Sequence, residues 1–223
     1  KGLSGQQKDA KTEKACTGVC YGGKMAKKEW KPGNMLYPLP AVLVTSRNKK
    51  GDEDVCTIAW TGTVSSDPPM VSISVRPSRL TYEYIKETGV FVINITTESL
   101  AFATDYCGIK SGRDENKFET AHLKTEPAAH ISCPMLSASP VNLECSVTKT
   151  RDLGSHTIFL AKVLAVHVDD RYMDGRDKFN FSLAKPLVYV HGEYRAVGKY
   201  IGKFGYSVEK KNGKEPQGRK NKA

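Results

Sequence analysis

The chain has 223 residues, 39% of them apolar, and 34 Lys and Arg against 24 Asp and Glu, for a formal net charge of +10. A chain of this length buries roughly 70% of its unfolded surface, enough for one substantial core. No apolar run approaches the roughly 20 residues a membrane helix needs, and the basic start lacks an apolar signal segment, so a cytoplasmic protein with no membrane partner is expected.

The excess charge sits at the ends. Residues 1–31 carry eight Lys against three acids and residues 207–223 six Lys and Arg against two, which leaves twenty basic and nineteen acidic residues between them. Charge blocks at termini are commonly solvated, so no nucleic-acid partner is expected for the near-neutral middle. The domain reading is a basic extension over 1–29, one folded domain over 30–206 and a basic tail over 207–223. Met25 would make a natural start, with residues 1–24 an appended segment. Gly18 to Lys24 nearly matches a phosphate-binding loop, but Met25 stands where the magnesium-binding hydroxyl belongs and no strand leads in.

Of the six cysteines only Cys16 and Cys20 are close, and as C-x3-C they lack metal-site or redox-pair spacing. The others read as reduced thiols, with Cys56 and Cys145 inside strand-like runs. No histidine, cysteine and carboxylate cluster has metal-ligand spacing, and no nucleophile elbow is present.

In chain order, a proline-punctuated lead-in over 30–40 precedes a short β-rich run at 41–46, a charged turn at 47–54 and a returning strand at 55–60. Residues 61–69 read as a hydroxyl- and glycine-rich turn stopped by two prolines. Residues 70–75 alternate Val71, Ile73 and Val75 with Ser72 and Ser74, the period of a half-buried strand. Thr81 is placed as the N-cap of a helix over 82–88 that Gly89 ends. A nearly all-apolar strand follows at 90–95, then a helix from about 97 to 106 and a polar loop, 108–118, with a helical turn at its end. Residues 141–147 and 156–168 are strands around a turn at 151–155, and residues 187–194 are the last strong strand. Six or seven neighbouring strands with few short helices predict an antiparallel barrel or sandwich; no glycine fingerprint supports a doubly wound sheet.

Three stretches carry binding chemistry. Arg76, Ser78, Arg79 and Thr81 bring guanidinium forks and hydroxyls to a strand end and helix start, a setting suited to a phosphate or to a plain capped helix. The loop holding Ser111, Gly112, Arg113 and Lys117 offers a second cationic clamp or an exposed helix cap. Ala59, Trp60, Thr61 and Thr63, with Val64 and Ser65 beyond, present backbone and hydroxyl groups beside an aromatic, a wall for a polar heteroaromatic ring or a core Trp beside a turn. Among five histidines, His156 follows Gly154 and Ser155 and opens a strand, where site residues gather.

In order and spacing, IAWTGTVSSDPP, VSISVRPSRLT, VFVINI, SGRDENKF and GSHTIFLAKV resemble the flavin reductase-like FMN-binding family, most closely its flavoredoxin branch, across about residues 30–206. The resemblance implies an antiparallel Greek-key split β-barrel, usually a homodimer, with FMN near the subunit interface and NAD(P)H or an electron-transfer protein as the other partner. It implies that Trp60 and Thr61 border the isoalloxazine, that Ser78, Arg79, Thr81 and Lys117 face the ribityl phosphate, that His156 lies near the ring as the catalytic candidate, and that Tyr189 completes the pocket. The chain departs from the family at Asp54, where Asn is frequent, at Ser155, where Asp precedes His, and at Lys162, a frequent Glu position. An FMN-dependent redox protein is the expectation; the alternatives are a non-catalytic FMN carrier or sensor and an anion- or nucleic-acid-binding barrel using its basic tails.

Overall fold

A computed structural model describes residues 27–208. Residues 1–26 and 209–223, which hold the phosphate-loop near-match, Cys16 and Cys20, lie outside the described residues. The chain divides into a unit ending at Asn34, whose described residues form no helix or strand, and a unit that begins at Met35.

The second unit is built on one seven-stranded antiparallel sheet. Its strands are β2 (Val42–Arg47), β3 (Glu53–Ile58), β4 (Thr61–Ser66), β5 (Pro69–Val75), β6 (Val90–Ile95), β9 (Val141–Asp152) and β10 (Thr157–Val168), in spatial order β3-β2-β6-β9-β10-β5-β4. A small sheet joins β1 (Leu39–Pro40), β11 (Leu187–Val190) and β12 (Glu193–Ala196), and β7 (Thr125–Pro127) pairs with β8 (Pro134–Leu136). Among the described residues, four short α-helices punctuate it: α1 (Leu80–Thr88), α2 (Ala101–Ile109), α3 (Lys117–Thr120) and α4 (Phe181–Ala184).

One connection sets the shape. β3 and β4 occupy opposite edges of the sheet, yet only Ala59 and Trp60 separate them. Two intervening residues reach about 10 Å at most. The edges must therefore meet at that corner, and the sheet rolls into a barrel left open elsewhere, the expected mainly β architecture. Inside the roll, Val42, Val44, Ile58, Ile73, Phe91 and Phe159 form one buried cluster. Because successive strand residues face opposite ways, Leu43 and Val55 point outward, where Leu100, Ala103 and Cys107 of the α2 segment cover them. β2 is buried on both faces for that reason, which explains its unbroken apolar start.

Three expectations need correction. Residues 61–66 are not a turn but the edge strand β4, paired with β5 from Thr61 opposite Ile73 to Ser66 opposite Pro69. Small hydroxyl residues and Gly62 suit an edge with little to bury, and they read as a turn for the same reason. Thr81 is not a cap: the helix begins at Leu80, Arg79 is its N-cap without a side-chain bond, and Thr81 is buried. Residues 187–194 are a hairpin rather than one strand, folded at His191 and Gly192, whose φ angles of 46° and 93° give the two-residue left-handed turn that matches strand twist. Gly89 does end α1, at φ 72°, with its N–H on the Ile85 carbonyl at 2.8 Å.

Candidate functional site

The corner where the sheet edges meet carries an aromatic wall. Trp60 sits in the two-residue link, and its carbonyl accepts a bond from Ser74 N at 2.8 Å, fixing the link to β5. The His156 ring lies parallel to the indole, 10° between planes with centroids 6.3 Å apart, and Tyr189 of β11 stands 6.2 Å away on a tilt of 51°. Tyr37 and Tyr194 pack edge-on against Tyr189, each at 5.9 Å. Trp60, His156 and Tyr189, which come from three separate parts of the sequence, are thus brought together, all of them part-exposed.

Beside the wall, β4 pairs only with β5, so its outer backbone edge is open. Thr63 and Val64 are exposed on it, and Val64 is the extra residue of a bulge between the Thr63 and Ser65 pairs. Ser65 is half-buried. Ala59 and Thr61 are committed locally: Thr61 N donates to Ala59 O at 3.0 Å, and Thr61 Oγ1 donates to Ser72 O at 2.8 Å. An open strand edge next to stacked aromatics offers amide donors and acceptors to the polar rim of a flat heterocycle while its faces meet rings.

His156 immediately precedes β10, whose first residue, Thr157, pairs with Val75 at the end of β5. Its Nδ1 lies 2.9 Å from Ser155 Oγ, which leaves Nε2 for a ligand. Burial, and then the Arg76 guanidinium, push its pKa below the ordinary histidine value, so neutral imidazole prevails at pH 7.

The phosphate half departs from expectation. Arg79 donates to the carbonyls of Ile109 at 3.3 Å, Lys110 at 3.1 Å and Gly108, closing the C-terminal end of α2 where carbonyls lack helical partners. Thr81 Oγ1 donates to Asp54 Oδ2, and Lys117 Nζ lies 2.9 Å from Asp54 Oδ1. Lys117 is 3% exposed and Asp54 2%. Asn116 caps α3, its side chain accepting from Phe118 N at 3.1 Å. Ser111 Oγ accepts from Arg113 N at 3.2 Å, and Gly112 lies so close to Asp54 that a Cβ there would overlap Oδ1. Three of the four side chains expected to face a phosphate therefore meet internal acceptors. Ser78 stays exposed, as does Arg76, whose carbonyl accepts from Arg79 N at 3.0 Å while its guanidinium makes no hydrogen bond or ion pair among the described residues. Lys162, in the frequent Glu position, is exposed on β10.

Asp54 is the residue that sequence reasoning passed over as a partner for these cations. Its sole signal was its departure from the family's Asn. The Tyr37 and Tyr194 buttress had no signal, because its residues are far from the motifs.

The flavin reductase-like domain model matches residues 35–198. Flavoredoxin of Desulfovibrio vulgaris (Miyazaki F) superposes with a TM-score of 0.77 at 27% identity, over 82% of this chain and 100% of its own, and flavoredoxin from Methanosarcina acetivorans with 0.74 at 28%, over the same shares. A protein of Archaeoglobus fulgidus is 33% identical over 146 residues, 66% of this chain and 81% of its own. The high molecular weight rubredoxin of Moorella thermoacetica is 32% identical over 131 residues, 57% of this chain and 56% of its own. The wall, the open β4 edge and the rolled sheet are thus features of a chain that belongs to the flavin reductase-like domain family.

Proposed function

We propose that this chain is an FMN-binding redox protein of flavoredoxin type that takes hydride from NAD(P)H, or electrons from a protein donor, and passes them on. The observation that carries the reading is the meeting of Trp60, His156 and Tyr189 beside the open edge of β4. These residues fit a flavin ring: aromatic faces for its faces, and backbone and hydroxyl groups of residues 61–65 for its polar rim. Ser78 and Arg76 stand at the phosphate end.

FMN, when bound, supplies the two-electron acceptor and donor, so the chain needs no acid-base dyad of its own. Its residues have other tasks. Trp60 and Tyr189 position the ring, β4 reads its edge, and His156 presents a neutral imidazole whose orientation Ser155 holds. A serine in that place leaves the imidazole without the carboxylate that would favour its charged form.

A homodimer fits the outer half of β10. Beyond Lys162 this strand no longer pairs with β5, and Leu164, Val166 and Val168 are exposed there at 43%, 55% and 36%. No helix among the described residues is long and apolar enough to cross a membrane, and Cys56, Cys107, Cys133 and Cys145 are free thiols, as suits a cytoplasmic setting. The relationship to a high molecular weight rubredoxin favours a protein redox partner.

Stopped-flow mixing of the FMN-loaded protein with NADH and with NADPH tests the reaction. Bleaching of the flavin band by either nucleotide supports reductase chemistry. A flavin-loaded chain that neither nucleotide nor reduced rubredoxin bleaches is a carrier or sensor instead.

A further inference from the structure

The residues that family resemblance assigns to the ribityl phosphate do not fit that group as they stand. Thr81 and Lys117 converge on one carboxylate, Asp54, and all three are buried. The same node borders a cavity of about 580 Å³ whose wall includes Asp52, Glu53, Asp54 and Glu115, with Lys117 as its sole cation. Glu53 and Glu115 bring their own counter-charges from outside the wall, Arg47 and Lys110. No positive charge in this wall is left over, so a dianion placed here would meet a surplus of carboxylates. Gly112 closes the loop over Asp54 at a distance no side chain would permit.

We propose that Asp54 is a specificity-determining residue: its carboxylate takes the hydroxyl and ammonium that would otherwise hold the flavin phosphate, so the site selects flavin by its ring and scarcely separates FMN from riboflavin. The inference rests on the flavin reading above. It follows from charge bookkeeping and geometry at one position. An asparagine at 54 has the same shape and still accepts from Thr81, but it carries no charge to neutralise Lys117, whose ammonium would then be available to a phosphate. Aspartate satisfies Lys117 internally. The remaining donors, Arg76 and Ser78, are exposed, where solvent screening weakens an ionic contact.

The test is a pair of fluorescence-quenching titrations of the full chain, with FMN and with riboflavin, on the wild type and on Asp54→Asn. The wild type is expected to bind the two flavins within about tenfold of each other, a difference of no more than about 1.4 kcal/mol. Asp54→Asn is expected to tighten FMN by tenfold or more with riboflavin unchanged. A wild-type preference for FMN above tenfold overturns the proposal, and so does an Asp54→Asn protein with an unaltered ratio. The wild-type ratio decides even where the variant fails to fold. Absence of binding by both flavins is a separate result, which removes the flavin reading itself.

Discussion

Asp54 and Lys117 form an ion pair from which water is nearly excluded, and Thr81 supplies a further donor to the same carboxylate. Such a pair gives little net stability when intact, because desolvation offsets attraction, but removal of one partner strands a buried charge. Lys117→Ala is therefore expected to destabilise the fold by about 3 to 5 kcal/mol in urea unfolding. A loss near zero for Lys117→Ala would mean that the pair opens to solvent. At His156 the folded-state pKa is lowered, first by burial and then by Arg76. Between that lowered value and about 6.5 the unfolded chain holds more protons than the folded one, so stability is complete above about pH 6.5 and falls as pH drops through the folded pKa. Denaturation midpoints at pH 7.5 and 5.5 should show this loss, and His156→Gln should flatten it; an equal slope in the variant would assign the effect to other groups.

At the scale of elements, legibility followed periodicity. β5 and β6 read clearly because Val71, Ile73 and Val75 alternate with serines and because residues 90–95 are almost wholly apolar. Helix α1 and its glycine stop were legible for similar reasons. β4 was not, since an edge strand with one partner has no buried face to produce alternation. The β11–β12 hairpin was missed because its turn uses His191 in the left-handed region, where asparagine or glycine is the usual signal. The β7–β8 pair had no signal of its own. The loop between its strands is held by Glu144, a fully buried carboxylate that accepts from Ala129 N and His130 N, each at 2.8 Å, and lies 2.6 Å from His167 Nε2. Burial raises that carboxyl's pKa, but the His167 bond and the two amides outweigh it and hold the group ionised below the usual glutamate value. In the site, Trp60 and His156 were legible through motifs and Tyr189 through the family resemblance alone, whereas Arg79, Thr81 and Lys117 were legible as charged or polar groups near one another but not in what they bind. The competing acceptors, Asp54 and the α2 carbonyls, come from other parts of the chain, and only folding reveals them.

For the molecule as a whole, the rolled sheet explains why two residues can link opposite edges and why the aromatic wall forms where they do. The same roll leaves the end of β10 without a β5 neighbour, with Leu164, Val166 and Val168 alternating outward on one face. If that face joins two copies, a carboxylate at its centre must be desolvated in the dimer. Val166→Asp is expected to shift sedimentation from dimer to monomer at micromolar concentration. A wild-type monomer, or a variant dimer of unchanged affinity, would place the subunit contact elsewhere or remove it.

The central claim is that a flavin ring is held at the corner of Trp60, His156 and Tyr189, and an FMN titration of the wild type beside Trp60→Ala and Tyr189→Ala tests it most directly. Saturable quenching at one flavin per chain, weakened tenfold or more in each variant with circular dichroism unchanged, is the predicted result. Absence of quenching in the wild type, or equal affinity in all three proteins, would contradict it.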